Sequence, residues 1–398
     1  MFSSLKVKNF RLYWFGMLVS LIGTWVQTVA QSWLVFQLTN SAFLLGVVGF
    51  LGFFPVFLFS LFGGVVADRV NKRVILLYTQ NAFMVLAFIL AVMTHLKIIT
   101  PIQIMVIALL NGVVMAFDAP ARQSVVVELA GKQHLLNAIA LNSAAFNSAR
   151  IIGPALAGIL IASVGMSGCF YINGISFVAV IFALLLIKHN GMVKRPEKTA
   201  MFKDLTAGLV FIKRNKVILI LIIMVAITSL FGLSYVILMP VFATNVLKVQ
   251  AKGFSILMSS AGIGALLAAL MLARLGDVKQ KGKIIIISSL IFSAALILFS
   301  LTRVYAVSII FLVLIGWSSV ISMSLINNSL QILVPDEYRG RTMSAFMFTF
   351  GGFIPFGNLL AGAISQSFGV SFAIMLSGSV LLVCFIIIGI FFPDIKKI

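Results

Sequence analysis

The chain has 398 residues, 62% of them hydrophobic and 10% charged, and its mean hydropathy is +1.18. Water-soluble domains carry about 25% charged residues, so composition excludes a soluble enzyme and points to lipid as the solvent. The net charge of +20 comes from 29 basic and 9 acidic residues. It does not call for nucleic acid, because the basic residues cluster between and at the ends of apolar runs, where they report orientation.

The apolar runs fall at 12–38, 42–67, 74–96, 101–128, 135–164, 167–188, 216–247, 253–275, 283–302, 304–334, 342–367 and 370–392. Each is long enough for a helix that needs about 20 residues to cross hydrocarbon. In lipid the backbone must satisfy its own hydrogen bonds, and barrel strands would be shorter and alternating, so the runs read as helices. The prediction is an all-α membrane protein with twelve transmembrane helices in two six-helix pseudo-repeats, 1–188 and 216–398. A polar linker, 189–215, joins them. The first run is too long for a cleavable leader and lacks a small-residue cleavage site.

With the N-terminus inside, twenty-three basic residues fall on the cytoplasmic side and only Lys97, Lys248, Lys252 and Arg303 outside. That bias puts both termini in the cytoplasm. Within the linker, Met201, Phe202, Leu205, Leu209 and Ile212 recur at helical spacing between basic ends, as in a helix lying on a membrane surface.

The halves repeat each other. Gly153-Pro154-Ala155-Leu156-Ala157-Gly158 in the fifth run parallels Gly357-Asn358-Leu359-Leu360-Ala361-Gly362 in the eleventh. Gln123 and Glu128 parallel Gln331 and Asp336, and Asp68 parallels Asp277. Such a duplication predicts two halves around a central cavity.

Between the second and third runs stands Gly63-Gly64-Val65-Val66-Ala67-Asp68-Arg69-Val70-Asn71-Lys72-Arg73. Gly64 would let two helix ends approach closely. Asp68 would sit near a helix N-terminus, where a carboxylate is favoured, and pair with a basic side chain. The segment resembles the signature loop of the major facilitator superfamily, Gly-x-x-x-Asp-Arg-x-x-(Arg/Lys)-(Arg/Lys). The resemblance implies a gate built from Gly64, Asp68, Arg69 and Arg73. The counterpart in the second half keeps Asp277 but lacks the glycine.

In the fourth run, Asp118 lies ten residues before Glu128, or about 15 Å, close to the middle of a hydrocarbon core about 30 Å thick. Arg122 follows at i+4 on the same face, and Arg150 lies near mid-depth of the fifth run. Charges at that depth are costly, so the three should face the bundle interior and pair in part. Two readings stay open. Asp118 exchanges a proton during transport, with Arg122 and Arg150 as partners, or the three form a fixed polar network.

The fifth run continues Asn147-Ser148-Ala149-Arg150-Ile151-Ile152-Gly153-Pro154-Ala155-Leu156-Ala157-Gly158. This is similar to the antiporter signature of the superfamily, which ends Gly-Pro-x-x-Gly-Gly, with Ala157 in place of one glycine. Combined with Phe117-Asp118-Ala119-Pro120-Ala121-Arg122-Gln123, it resembles bacterial exporters of the enterobactin exporter and macrolide efflux type. That resemblance implies alternating-access export of a small amphipathic compound, a siderophore or drug, against entering protons, from a bacterial cytoplasmic membrane. The partners expected are a small-molecule substrate, protons and membrane lipids, with the chain acting as a monomer.

Polar and aromatic residues within the runs are the candidates for substrate contact: Gln27, Gln31, Asn147, Tyr235, Trp317, Asn327 and Asn358. Wide apolar surface with few polar anchors suits a large amphipathic ligand. No Gly-x-x-x-x-Gly-Lys-(Ser/Thr) loop is present, the three histidines form no cluster, and Cys169 and Cys384 read as buried thiols. No enzyme activity, metal or cofactor is expected. Two rivals remain: facilitated or exchange transport of an organic anion with Arg150 as counter-charge, and a lipid flippase or non-transporting sensor.

Overall fold

The computed structural model describes residues 3–187, 210–276 and 278–397. Among these, eleven helices are long and apolar enough to cross a membrane. They are α1 (Lys8–Thr39), α2 (Ala42–Arg69), α3 (Lys72–His95), α4 (Pro101–Ala130), α5 (Leu135–Leu186), α6 (Lys216–Val246), α7 (Ala251–Leu275), α8 (Lys281–Leu301), α9 (Tyr305–Leu333), α10 (Asp336–Phe368) and α11 (Val370–Phe391).

Local sequence accounts for the ends. Thr100 and Gln103 form a reciprocal capping box at the start of α4, with Pro101 in its first turn. Asn71 caps α3 and Asn215 caps α6 through their side-chain oxygens. The 52 residues of α5 would run about 78 Å if straight, more than twice the thickness of a bilayer core. The helix instead breaks at Gly165, whose φ of 72° and ψ of 179° suit only glycine. Each of its two arms is long enough for a crossing of its own. α6 is interrupted by two π turns, Thr228–Gly232 and Phe242–Val246, a rare geometry that shifts the helical register by a residue.

The chain forms two compact units that do not divide cleanly at the linker. One contains residues 1–40, 51–197 and 250–259; the other contains 41–50, 198–249 and 260–398. The start of α2 thus belongs with the later helices and the start of α7 with the earlier ones. In the first unit a core of Phe10, Tyr13, Met17, Leu76, Val125, Leu129, Phe177 and Leu184 joins α1, α3, α4 and both arms of α5. Large apolar side chains such as Phe62, Ile102, Ile159, Phe182, Ile310 and Phe391 remain exposed; hydrocarbon accepts such a surface and water does not. Hydroxyl groups within the helices turn back on their own backbone. Thr24 bonds the Ser20 carbonyl at 2.9 Å, Ser288 that of Ile284 at 2.7 Å and Ser318 that of Leu314 at 2.7 Å.

Most of the expected surface helix, including Met201 to Leu209, lies outside the described residues, as does Asp277. Residues 210–214 are helical, and Phe211 stacks on Tyr338 with ring centroids 4.5 Å apart.

Candidate transport site

Asp118 is completely buried on α4. One turn on, Arg122 donates from Nε to Asp118 Oδ2 at 3.0 Å and from Nη2 to the same oxygen. The other oxygen, Oδ1, accepts the Thr79 hydroxyl at 2.8 Å and Gln80 Nε2 at 2.7 Å, both from α3. Four donors therefore converge on one carboxylate, which is what a buried charge requires. Arg150, expected beside this pair, is half-buried on α5 and makes no hydrogen bond or ion pair among the described residues. The carboxylate is already filled by Arg122 and the α3 donors, so the expected trio reduces to a pair. Tyr13, buried on α1, lies within electrostatic reach of both Asp118 and Arg122, yet its hydroxyl has no hydrogen-bond partner among the described residues. Gln80 Oε1 is also buried, with no partner among the described residues. Thr79 and Gln80 were not among the expected site residues. Their signal is the polar run Thr79-Gln80-Asn81 inside an otherwise apolar segment.

At the α2–α3 turn the close helix approach falls one residue earlier than expected. Gly64 has open space where a Cβ would stand, whereas Gly63 is pressed against the Ala116 carbonyl of α4. Successive residues on a helix point about 100° apart, so only one of the two glycines can face α4. The Ala116 carbonyl is the one that Pro120 leaves without a helical donor. Arg73 donates from Nε to the Leu184 carbonyl at 2.6 Å and from Nη2 to that of Leu185 at 3.0 Å, closing the C-terminal end of α5. Lys72 pairs with Glu128 at 2.8 Å, a contact between the start of α3 and the end of α4 that spacing did not reveal. Arg69 is exposed, and the Asp68 side chain lies outside what the structure describes.

The fifth-run motif and its counterpart make equivalent packings. Gly153 sits against the Ile22 carbonyl of α1, and Gly158 against Ser255 at the start of α7, where a Cβ would meet the Ser255 Cβ at 2.7 Å. In the second unit Gly357 sits against Leu230 of α6, and Gly362 against Ala42 and Gly46 at the start of α2. Pro154 lies inside α5, one residue beyond the contact with α1. Each motif thus fits one helix between two others at backbone distance, which explains why small residues occupy it.

Residues 1–397 match the sequence profile of the transmembrane secretion effectors, a major facilitator family. The chain belongs to this family. It is similar to the staphyloferrin A transporter of Staphylococcus aureus, with 29% identity over 361 residues, or 89% of each chain. It also resembles the enterobactin exporter EntS of Salmonella choleraesuis, with 24% identity covering 83% of this chain and 80% of the exporter. Among solved structures, a D-xylose-proton symporter superposes with a TM-score of 0.78 at 13% identity, covering 97% of this chain and 99% of that one. The fold is therefore that of a multi-pass major facilitator transporter, and transport rather than enzyme chemistry is the family's business.

The predicted substrate contacts fall in both units. In the first unit Gln27 accepts Asn173 Nδ2 at 2.7 Å, Gln31 is half-buried, and Asn147 Nδ2 donates to the Ser143 carbonyl at 2.9 Å. In the second unit Tyr235 is buried on α6, Trp317 is half-buried on α9, and Asn327 accepts from Gln331 at 2.6 Å. Asn358 is buried against Gly46 and Gly49 of α2, where it packs helices. A mainly apolar cavity of about 150 Å³ beside the first π turn of α6 is lined by Leu230, Phe231, Gly357 and Leu376. A second, of about 340 Å³, lies among Leu272, Lys281, Ser324 and Asn328. Neither contains any of the seven.

Proposed function

We propose that the chain is a proton-coupled exporter of a small amphipathic compound, of the siderophore or drug class, working by alternating access from a bacterial cytoplasmic membrane. The observation that carries this reading is the buried Asp118–Arg122 pair with two α3 donors on its free oxygen. A fully buried carboxylate in a membrane-spanning helix is costly, and such residues commonly mark ion or proton pathways. The names of the relatives supply the substrate class. The transporter then has twelve crossings, with the two arms of α5 counted separately, both termini in the cytoplasm and a monomer as the working unit. Gly64, Asp68, Arg69 and Arg73 serve as the cytoplasmic gate of the first half, Asp277 holds the matching position in the second, and Gly153, Pro154 and Gly158 form an antiporter-like packing motif. The test is flux driven by a pH gradient in proteoliposomes, across a panel of siderophores and amphipathic drugs, for wild type and Asp118→Asn. Flux that follows the gradient and disappears in the variant supports the reading; equal, gradient-independent flux removes it.

A second reading rests on Arg150, which is half-buried and without an ion-pair partner among the described residues. It is placed to meet an organic anion in facilitated or exchange transport. Such a protein loses substrate affinity in Arg150→Met while its pH dependence stays small.

A further inference from the structure

Gln80 presents an asymmetry that its surroundings do not otherwise explain. Its Nε2 donates to Asp118 Oδ1 at 2.7 Å, while its Oε1, on the other side of the same planar amide, is buried with no donor. A buried amide usually satisfies both ends. Here the acceptor end is unpaired because the charged carboxylate beside it offers only acceptors.

Protonation reverses that requirement. A neutral carboxyl keeps one acceptor oxygen and gains an O–H donor that needs an acceptor. Of the other groups bonded to Asp118, Arg122 can only donate, through Nε and Nη2, and the Thr79 hydroxyl, which also has the Leu76 carbonyl at 3.2 Å, donates to Oδ1. Gln80 Oε1 is the buried acceptor beside the carboxylate that has no partner among the described residues. A half-turn of the side-chain amide exchanges its two ends without moving the helix, bringing Oε1 to face Asp118 and turning Nε2 away. In the orientation seen, the acceptor end of the amide lacks a partner among the described residues, and the proton on Asp118 decides which end faces the carboxyl.

We infer that Gln80 is a positioning residue that reads the protonation state of Asp118 by turning its amide over. With the carboxylate charged, Gln80 donates. With the carboxyl neutral, Gln80 accepts and holds the proton in a dry site until the transporter moves. This rests on the reading of Asp118 as the coupling group. The titratable groups facing Asp118 are Arg122 on its own helix and Tyr13 from α1; α3 contributes only the uncharged Thr79 and Gln80 to its hydrogen bonds. Tyr13, whose hydroxyl is unpaired, is an acceptor within electrostatic reach of Arg122 when the pair loosens.

The test is pH-titrated infrared difference spectroscopy of the full-length protein in lipid. The band of protonated Asp118 is identified by its absence in Asp118→Asn. In Gln80→Met, which keeps the length and removes the amide, the carbonyl stretch of that band is expected to move to higher wavenumber, since the O–H loses its acceptor. In the unsubstituted protein, ¹⁵N in the glutamine side chains should reveal an amide band that changes with the same midpoint as the carboxyl band. A carboxyl band that titrates but ignores Gln80→Met, with no amide band following it, overturns the role of Gln80 and leaves Asp118 as coupling group. Absence of any Asp118 carboxyl band between pH 4 and 9, a span that brackets ordinary and raised carboxyl values of about 4 to 9, overturns both.

Discussion

Gly362 of α10 and Gly46 of α2 meet backbone to backbone: a Cβ on Gly362 would stand 2.9 Å from the Gly46 Cα and 2.8 Å from the Ala42 carbonyl oxygen. Backbone cannot retreat as a flexible side chain can, so even alanine forces the helices apart. Overpacking of this kind costs about 1–3 kcal/mol. Gly362→Ala is expected to lower the apparent Tm of the purified transporter, and Gly362→Val to lower it further. Because Gly46→Ala strains the same contact, the double alanine variant should fall short of the sum of the two singles. Thermal unfolding of the four proteins checks this, and an additive result would mean the two glycines act at separate places.

The α2–α3 turn separates two adjacent glycines. Gly63 abuts the Ala116 carbonyl, and Gly64 faces open space. In a helix alanine is preferred to glycine by about 1 kcal/mol, so Gly64→Ala should leave the apparent Tm unchanged or slightly raised. Gly63→Ala should lower it. If Gly64→Ala keeps its stability and loses flux, the gate role of that residue is separated from packing, which is the outcome expected of a gate.

Removing one member of the Asp118–Arg122 pair strands the other in a buried site. Breaking a buried pair costs about 3–5 kcal/mol, whereas replacing both partners by apolar groups is often neutral. Arg122→Met should therefore destabilise more than Arg122→Met combined with Asp118→Leu, with neither restoring proton-driven flux. Thr79→Val leaves Oδ1 with one donor and costs about 1 kcal/mol. Unfolding and flux measured on the same preparations distinguish structure from coupling, and a double variant worse than the single would exclude a mutual pair.

What sequence could reveal here follows from what periodicity encodes. Long apolar runs announce their helices because lipid admits little else, and the mid-run charges Asp118 and Arg122 stand out at i+4 on one face. Even the separation of the fifth and sixth runs at residue 165 is visible, although the structure joins them as one broken helix through Gly165. Partners across helices are another matter. Thr79 and Gln80 reach Asp118 from 39 and 38 residues away, and no spacing rule predicts which helix supplies the donors. Arg150, expected at the depth of the pair, makes no ion pair with it among the described residues, because position along a helix fixes height and not direction. The polar candidates Asn147 and Asn327 each make one hydrogen bond within their own helices, which spacing at i and i+4 makes available to any amide on a helix.

The Lys72–Glu128 pair, at 2.8 Å, sets two helix ends against their own dipoles. Lys72 is the first residue of α3, where positive charge is disfavoured, and Glu128 lies in the last turn of α4, where negative charge is disfavoured. Each is tolerated because of the other. Single changes should cut both ways: Lys72→Glu puts two acids together but relieves the α3 dipole, and Glu128→Lys does the mirror image at α4. Exchanging both residues keeps the attraction and turns both dipole terms favourable, each by roughly 0.3–1 kcal/mol. The exchanged double variant should thus unfold at or above the wild-type temperature, and each single variant below the double. If the contact also belongs to the moving parts of the cycle, the double variant will be stable and slow, with flux reduced under the same pH gradient. A double variant less stable than either single would show that the two side chains do not act as a pair.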